Sequence, residues 1–366
     1  MKRSIPIITA TILATAAALA NGEFNSVDVP GAVFTMDNSS NANHVLVFNR
    51  AGDGTLLFRR SVPTGGLGTG VALENQGALA LSEGHRWLFV VNAGSHDIST
   101  FAVTPSGLSL VAKTDSAGLN PISLTVSGNL LYVLNAGGTV GNTDNITGFV
   151  IDVSGHLHQL ANSTQQLSAA ATGPAQVSFS PGANVLVVTE RNTSLIDTFV
   201  VNDDGTAGAH QTFASPGKEP FGFSFDKLGH LFVTEAMTAT VSSYSVSDDG
   251  GLSIVSTSVP TQQKAPCWLL VTRRGNFAYE ANAASSSISG FSVQSDGSIS
   301  LLNADGITGT TPAGPNDLAL NDNSHFLYSL NPSNGTISGF RVQSDGSLTS
   351  AAQATAAVGA NGLAAY

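Results

Sequence analysis

The sequence predicts an all-β protein: a seven-bladed β-propeller with four-stranded blades, its ring closed by a C-terminal strand that completes blade one. Three observations carry this. First, Ile288–Ser298 and Ile337–Ser347 differ at a single position and lie 49 residues apart, and weaker copies of the same segment run back along the chain. Second, only 11% of the residues are charged while Gly numbers 39. That is too little charge to cover helical faces, and enough Gly to turn many short strands. Third, the last residues repeat the opening of a unit and then stop.

Each unit begins with an inner strand. It opens at a proline in five units, Pro121, Pro174, Pro220, Pro266 and Pro315, which is acceptable where no ladder N–H is yet needed. Small residues alternate along it (Ser123, Ser178, Gly222, Ser224, Ala319), as suits a strand crowded about a central axis. The second strand ends on a polar residue: Asp37, Asn92, Asn135, Glu190, Glu235, Asn282 and Asn331, at steps of 55, 43, 55, 45, 47 and 49. The third is the duplicated segment itself, with the apolar alternation of a half-buried strand: Ile98–Val103, Ile146–Ile151, Ile196–Val201, Val241–Val246 and their fellows. A turn pair usually follows it, such as Asp53-Gly54, Asp204-Gly205 or Asp345-Gly346, which favours a hairpin into a fourth strand. Unit one has only Gly31-Ala32 before its second strand, and Gly359–Tyr366 matches the start of Gly314–Leu320. The terminal strand is therefore expected to fill the missing place and remove two sheet edges.

Residues 1–20 stand apart. Lys2 and Arg3 precede an apolar run from Ile5 to Ala20 that ends in Ala18-Leu19-Ala20, the pattern of a cleaved secretory signal peptide. The expected mature protein is thus residues 21–366, one domain, secreted or, in a Gram-negative source, periplasmic, with no membrane association after cleavage. A net charge of −11 argues against a nucleic-acid partner. Cys267 is the only cysteine, so no internal disulfide can form; between Pro266 and Trp268 it is expected to be a buried apolar residue rather than a nucleophile. A monomer is expected.

The Pro-led inner strand, the Leu131-Tyr-Val-Leu-Asn-Ala136 strand and the Ile288-Ser-Gly-Phe-Ser-Val-Gln-Ser-Asp-Gly-Ser298 hairpin resemble the seven-bladed lactonase propellers. These include the 6-phosphogluconolactonase and carboxymuconate cyclase types. The resemblance runs from about Ala32 to Tyr366. It implies an active site at the channel mouth in which Arg, Glu and His act on a small anionic lactone without a metal. Where many members carry a His-Pro-His-like inner strand, this chain has Gly173-Pro174-Ala175-Gln176 and Glu219-Pro220-Phe221, with no His.

In a propeller the inner-strand starts and the loops from second to third strand share one face. Candidate residues there include Glu74, Gln76, Asn120, Gln176, Lys218, Glu219, Phe221, Trp268, Asn316 and Asp317 from the first set. The recurring Asn at the second-strand end is expected to bond its own turn. Blades four and five break that pattern with Glu190 and Glu235, and Arg191 follows directly. Two carboxylates can divide acid and base roles, and Arg can clamp a carboxylate or phosphate. Glu190, Arg191 and Glu235 are therefore the candidate catalytic residues, against a structural ion pair between blades. Gln176, Lys218, Trp268, Asn282 and His96 are candidate substrate-binding residues. Glu280 interrupts an apolar strand and faces either a polar channel or solvent. No His/Cys spacing suggests zinc, and no cofactor is expected. Two readings stand: a metal-independent lactonase or cycloisomerase-like enzyme, or a non-catalytic propeller that binds a carbohydrate or protein partner.

Overall fold

The computed structural model describes residues 28–140 and 143–366. The expected signal peptide, residues 1–20, lies outside them. Seven antiparallel sheets are arranged about one axis, and in all but blade one the strands follow chain order from the inner edge outward. The outer strand of blades three and six is split into two short pieces, Leu157–Gln159 with Gln165–Gln166 and Ile299–Leu301 with Gly309–Thr310.

The inner strands are Leu79–Leu81, Pro121–Ser127, Pro174–Phe179, Pro220–Phe225, Pro266–Val271 and Asp317–Leu320 for blades two to seven, and Asn361–Ala365 for blade one. Each packs against the next, round to the first. The terminal strand pairs antiparallel with Gly31–Met36, matching Phe34 to Ala364 and Met36 to Asn361. The expected closure is thus present. Four inner strands begin on the proline read from the sequence. Blade seven begins two residues after Pro315, although the Asn316 amide already donates to the Leu330 carbonyl at 2.9 Å.

The core lies between blades. Each second strand is buried from its second residue onward, and its residues alternate between the blade before and the blade after. Leu231 and Val233 pack with Val185 and Val187 of blade four, while Phe232 packs with Leu269 and Phe291 of blade six. This explains why the second strand is nearly all apolar, since both of its faces meet protein. The hairpin turns form as expected: Gly54, Gly205, Gly297 and Gly346 all have φ near +85 to +90° (91, 83, 84 and 86°). At each, the Asp before it accepts the amide N–H two residues on, a local bond that sets the turn.

Candidate functional site

Over blades five, six and seven the inner-strand starts and the loops beside them enclose a cavity of ≈ 530 Å³, lined among others by Glu74, Glu219, Phe221, Cys267, Trp268 and Asn316. Its floor is the segment that leads into blade two. There Gln76 donates its amide N–H to the Ala175 carbonyl of blade four at 3.0 Å, and its own carbonyl accepts the Ser123 hydroxyl of blade three at 2.7 Å. Its side-chain amide pairs with the backbone of Leu269 in blade six: Nε2 donates to the carbonyl at 2.9 Å and Oε1 accepts the N–H at 3.1 Å. The Trp268 indole N–H donates to the Asn75 carbonyl at 2.7 Å, and the Asn75 side chain donates to the Ile122 carbonyl. Asn75 and Gln76 therefore cross the axis and plug the channel. Gly222 of blade five makes room for this. A Cβ there would stand 2.2 Å from Gln76 Oε1 and 2.4 Å from the Cys267 carbonyl.

The charged groups of the cavity are few. The Arg191 guanidinium lies 5.3 Å from the Phe221 ring centroid, with Nη1 3.7 Å from Glu74 Oε2 and Nε donating to the Gly173 carbonyl at 3.0 Å. The aromatic face and the fixed Nε hold the group at the cavity edge, while the contact with Glu74 is loose enough for an anion to compete. Glu219 stands at φ 62°, as do its counterparts before the inner-strand prolines, Asn120 at 56°, Gly173 at 62° and Ala265 at 53°, so this left-handed turn belongs to the repeat. Asn316 contributes a buried Oδ1 with no hydrogen-bond partner. Cys267 is buried, and burial pushes its thiol well above the usual range, with Glu280, Glu74 and Glu219 adding to the rise. It remains a protonated, apolar wall, as expected.

The structure does not bring Glu190 and Glu235 to this cavity. Both are fully buried. Glu190 accepts the amide N–H (3.0 Å) and hydroxyl (2.5 Å) of Ser168 and the hydroxyl of Thr193 (2.5 Å). Glu235 accepts the Gly217 N–H at 2.8 Å and the hydroxyls of Ser215, Thr240 and Ser242. Each pins the loop arriving from the preceding blade to the end of its own second strand. They do what Asn does elsewhere: Asn135 donates to the Ser116 carbonyl at 3.3 Å. No ion pair between blades is involved at either residue, since their partners are neutral. In blade four a second acid, Asp197, lies beside Glu190; burial first, then the Glu190 charge, push its carboxyl up to about 7.

The expected binding residues divide. Trp268 lines the cavity and meets Phe221 edge-on, ring centroids 5.2 Å apart. Gln176 is a staple instead: its side-chain amide accepts the Phe223 N–H at 2.7 Å and donates to the Phe223 carbonyl at 3.0 Å. Asn282 is fully buried and donates to the Ser289 hydroxyl at 2.9 Å. His96 accepts the Asn120 amide N–H on Nδ1 at 3.0 Å, so its ring ties two loops together. Lys218 is exposed on the mouth face beside Glu219, outside the cavity lining. Glu280 faces neither channel nor solvent. It is wholly buried between blades five and six, and among the described residues neither oxygen has a hydrogen-bond partner. Burial pushes the Glu280 carboxyl up to about 8, although Ser289 and Asn282 lie close enough to counter part of the rise.

Comparison with known proteins agrees with the repeats. Residues 229–317 match the family model described as lactonase, 7-bladed beta-propeller. No curated protein sequence matches the chain significantly. Among solved structures, it is similar to a putative 6-phosphogluconolactonase from Bacteroides uniformis, with a TM-score of 0.73 and 16% identity over 92% of this chain and 99% of that one. A putative 6-phosphogluconolactonase from Bacteroides fragilis gives 0.69 and 19%, over 93% and 99%. The periplasmic gluconolactonase of Pseudomonas aeruginosa gives 0.72 and 14%, over 92% and 99%. At these identities the likeness establishes the fold, and the family match supports the resemblance carried by the repeats.

Proposed function

We propose, from the likeness to the lactonase propellers, that the protein hydrolyses a small anionic lactone in the mouth cavity, with no metal. The observation that carries this reading is Arg191, held at the cavity edge over Phe221 with Glu74 and Glu219 as the charged groups of the lining. Arg191 takes the anionic group of the substrate, displacing its loose contact with Glu74, and Lys218 on the rim adds to the pull. Glu219 removes a proton from a water that attacks the lactone carbonyl carbon. The resulting tetrahedral intermediate collapses, the ring C–O bond breaks, and Glu219 returns the proton to the departing oxygen, leaving a hydroxy acid. The acid–base role thus passes from Glu190 and Glu235, sealed from solvent, to a carboxylate that reaches the cavity.

The test is a panel of sugar lactones, phosphogluconolactone and muconolactone. Glu219→Gln should lower kcat about 100-fold or more. Arg191→Ala should raise KM for anionic lactones far more than for neutral ones. Turnover that neither change affects refutes the site. A second reading is a non-catalytic carbohydrate site in the same cavity, whose lining includes the Trp268 ring and the polar side chains of Asn316 and Ser333. Saturable sugar binding without turnover on any lactone would favour it. Secretion is part of the proposal, and is tested by N-terminal sequencing of exported protein, which should begin at Asn21.

A further inference from the structure

On the face opposite the mouth, five of the blade interfaces are closed in the same way. The hairpin glycine of one blade packs against the side chain that opens the second strand of the blade before it: Gly155 on Trp87, Gly205 on Leu130, Gly297 on His230, Gly346 on Phe277 and Gly54 on Phe326. In blade one the corresponding residue, five before Asp37 and packed toward blade two, is Ala32. A methyl group does not reach the hairpin of blade two, where Gly107 meets Arg60 instead. Two residues on, Tyr132, Tyr279 and Tyr328 donate their hydroxyls to the hairpin carbonyls of Gly205, Gly346 and Gly54, whereas blades one, two and five carry Phe34, Phe89 and Phe232. What remains between blades one and two is a cavity of ≈ 700 Å³.

Its walls are apolar, with Phe34, Val47, Leu57 and Val103 among them, and its charged lining residues are Arg50 and Arg59, with no Asp or Glu among the described residues that line it. Arg50 lies 3.9 Å from Asp28 Oδ2, outside the lining, which offsets its charge and leaves Arg59 as the cation that faces the cavity. Arg50 is buried and held by the Tyr366 and Val29 carbonyls at 3.0 and 2.7 Å. Arg59 is exposed; Nη1 meets Asn49 Oδ1 at 3.4 Å and Nη2 the Ser106 carbonyl at 3.1 Å. A guanidinium has five N–H groups, so Arg59 retains donors for a ligand. A mostly apolar cavity of this size with one or two placed charges is the usual form of a small-ligand site.

We propose that the cavity between blades one and two is a second binding site, separate from the mouth, for a small amphipathic anion. An aromatic ring or short acyl chain packs on Leu57 and Val103, and a carboxylate or sulfonate head meets Arg59. The test titrates the full-length protein with 8-anilinonaphthalene-1-sulfonate by fluorescence and with octanoate by calorimetry, using octanamide as the neutral counterpart. One saturable site is expected, with octanoate bound ~10-fold more tightly than octanamide and Arg59→Gln erasing that preference, as loss of a charge-assisted hydrogen-bond pair requires. Val103→Trp, which fills the cavity, should abolish binding, and Arg191→Ala at the mouth should leave it unchanged; both variants are to be checked for an unaltered melting temperature. The proposal is overturned by absence of saturable binding, by equal affinity for octanamide, by binding that survives both Arg59→Gln and Val103→Trp, or by binding lost in Arg191→Ala.

Discussion

Glu190 and Glu235 show how a rare residue in a repeat can mislead. Their departure from Asn was visible in the sequence, and so was the scarcity of charge that made it conspicuous. What the sequence did not display is that the Asn position points into the seam between blades, so an acid placed there inherits a structural task. Ser and Thr hydroxyls and backbone N–H groups supply the compensation. Glu280 is compensated only in part, by Ser289 and Asn282, and a prediction follows from its sign. Its carboxyl titrates near 8 in the folded protein against an ordinary 4.5, so between those values the folded state holds a proton that the unfolded chain has released. Stability contributed by this group must therefore fall as pH rises through that window, by up to ~1.4 kcal/mol per pH unit. Glu280→Gln should flatten the decline, leaving the variant more stable than the parent at pH 8 and close to it at pH 4, as measured by urea denaturation. An equally steep decline in the variant would show that another group is responsible. Asp197, pushed up to about 7 beside Glu190, adds a slope of the same sign, and Asp197→Asn should remove its share.

At the level of the strand, the legible features were those that backbone geometry forces: apolar alternation, a proline where no ladder N–H is used, Asp-Gly at the hairpins. The inner strands carried less information, because their small residues answer to whatever crosses the axis. Gly222 reads as an unremarkable small residue until Asn75 and Gln76 are seen to lie against it. Gly222→Ala forces a methyl to within 2.2 Å of Gln76 Oε1 and should destabilise the protein by ~1–3 kcal/mol, the usual cost of overpacking. Differential scanning calorimetry would record it, and an unchanged melting temperature would mean that the plug yields freely. Gln176 and Gln76 use the same device, a side-chain amide paired with a strand of another blade. The two glutamines share one structural job but occupy different positions in their units, so the repeat does not reveal them.

For the whole molecule, seven repeats made the architecture readable, because an error in one unit is corrected by the others, whereas a binding site occurs once and has nothing to be checked against. That asymmetry is why the ring was readable while Glu190 and Glu235, singled out for their charge in blades four and five, lie buried in seams and the mouth cavity lies over blades five to seven. Ring closure offers the broadest test: deletion of residues 359–366 strips the partner strand from Gly31–Met36 and opens two edges. The truncated protein should melt at a markedly lower temperature and associate through those edges, and a truncated chain that remains monomeric with an unchanged melting temperature would show that the strand is dispensable. The plug formed by Asn75 and Gln76 has a kinetic meaning as well. A propeller open at both ends could admit a reactant at one and discharge its product at the other; this one is a cul-de-sac, and arrivals and departures share a doorway. If the mouth is a hydrolase site, the hydroxy acid must leave by the route the next lactone takes, so it should inhibit competitively, and mutations on the far face should leave turnover untouched.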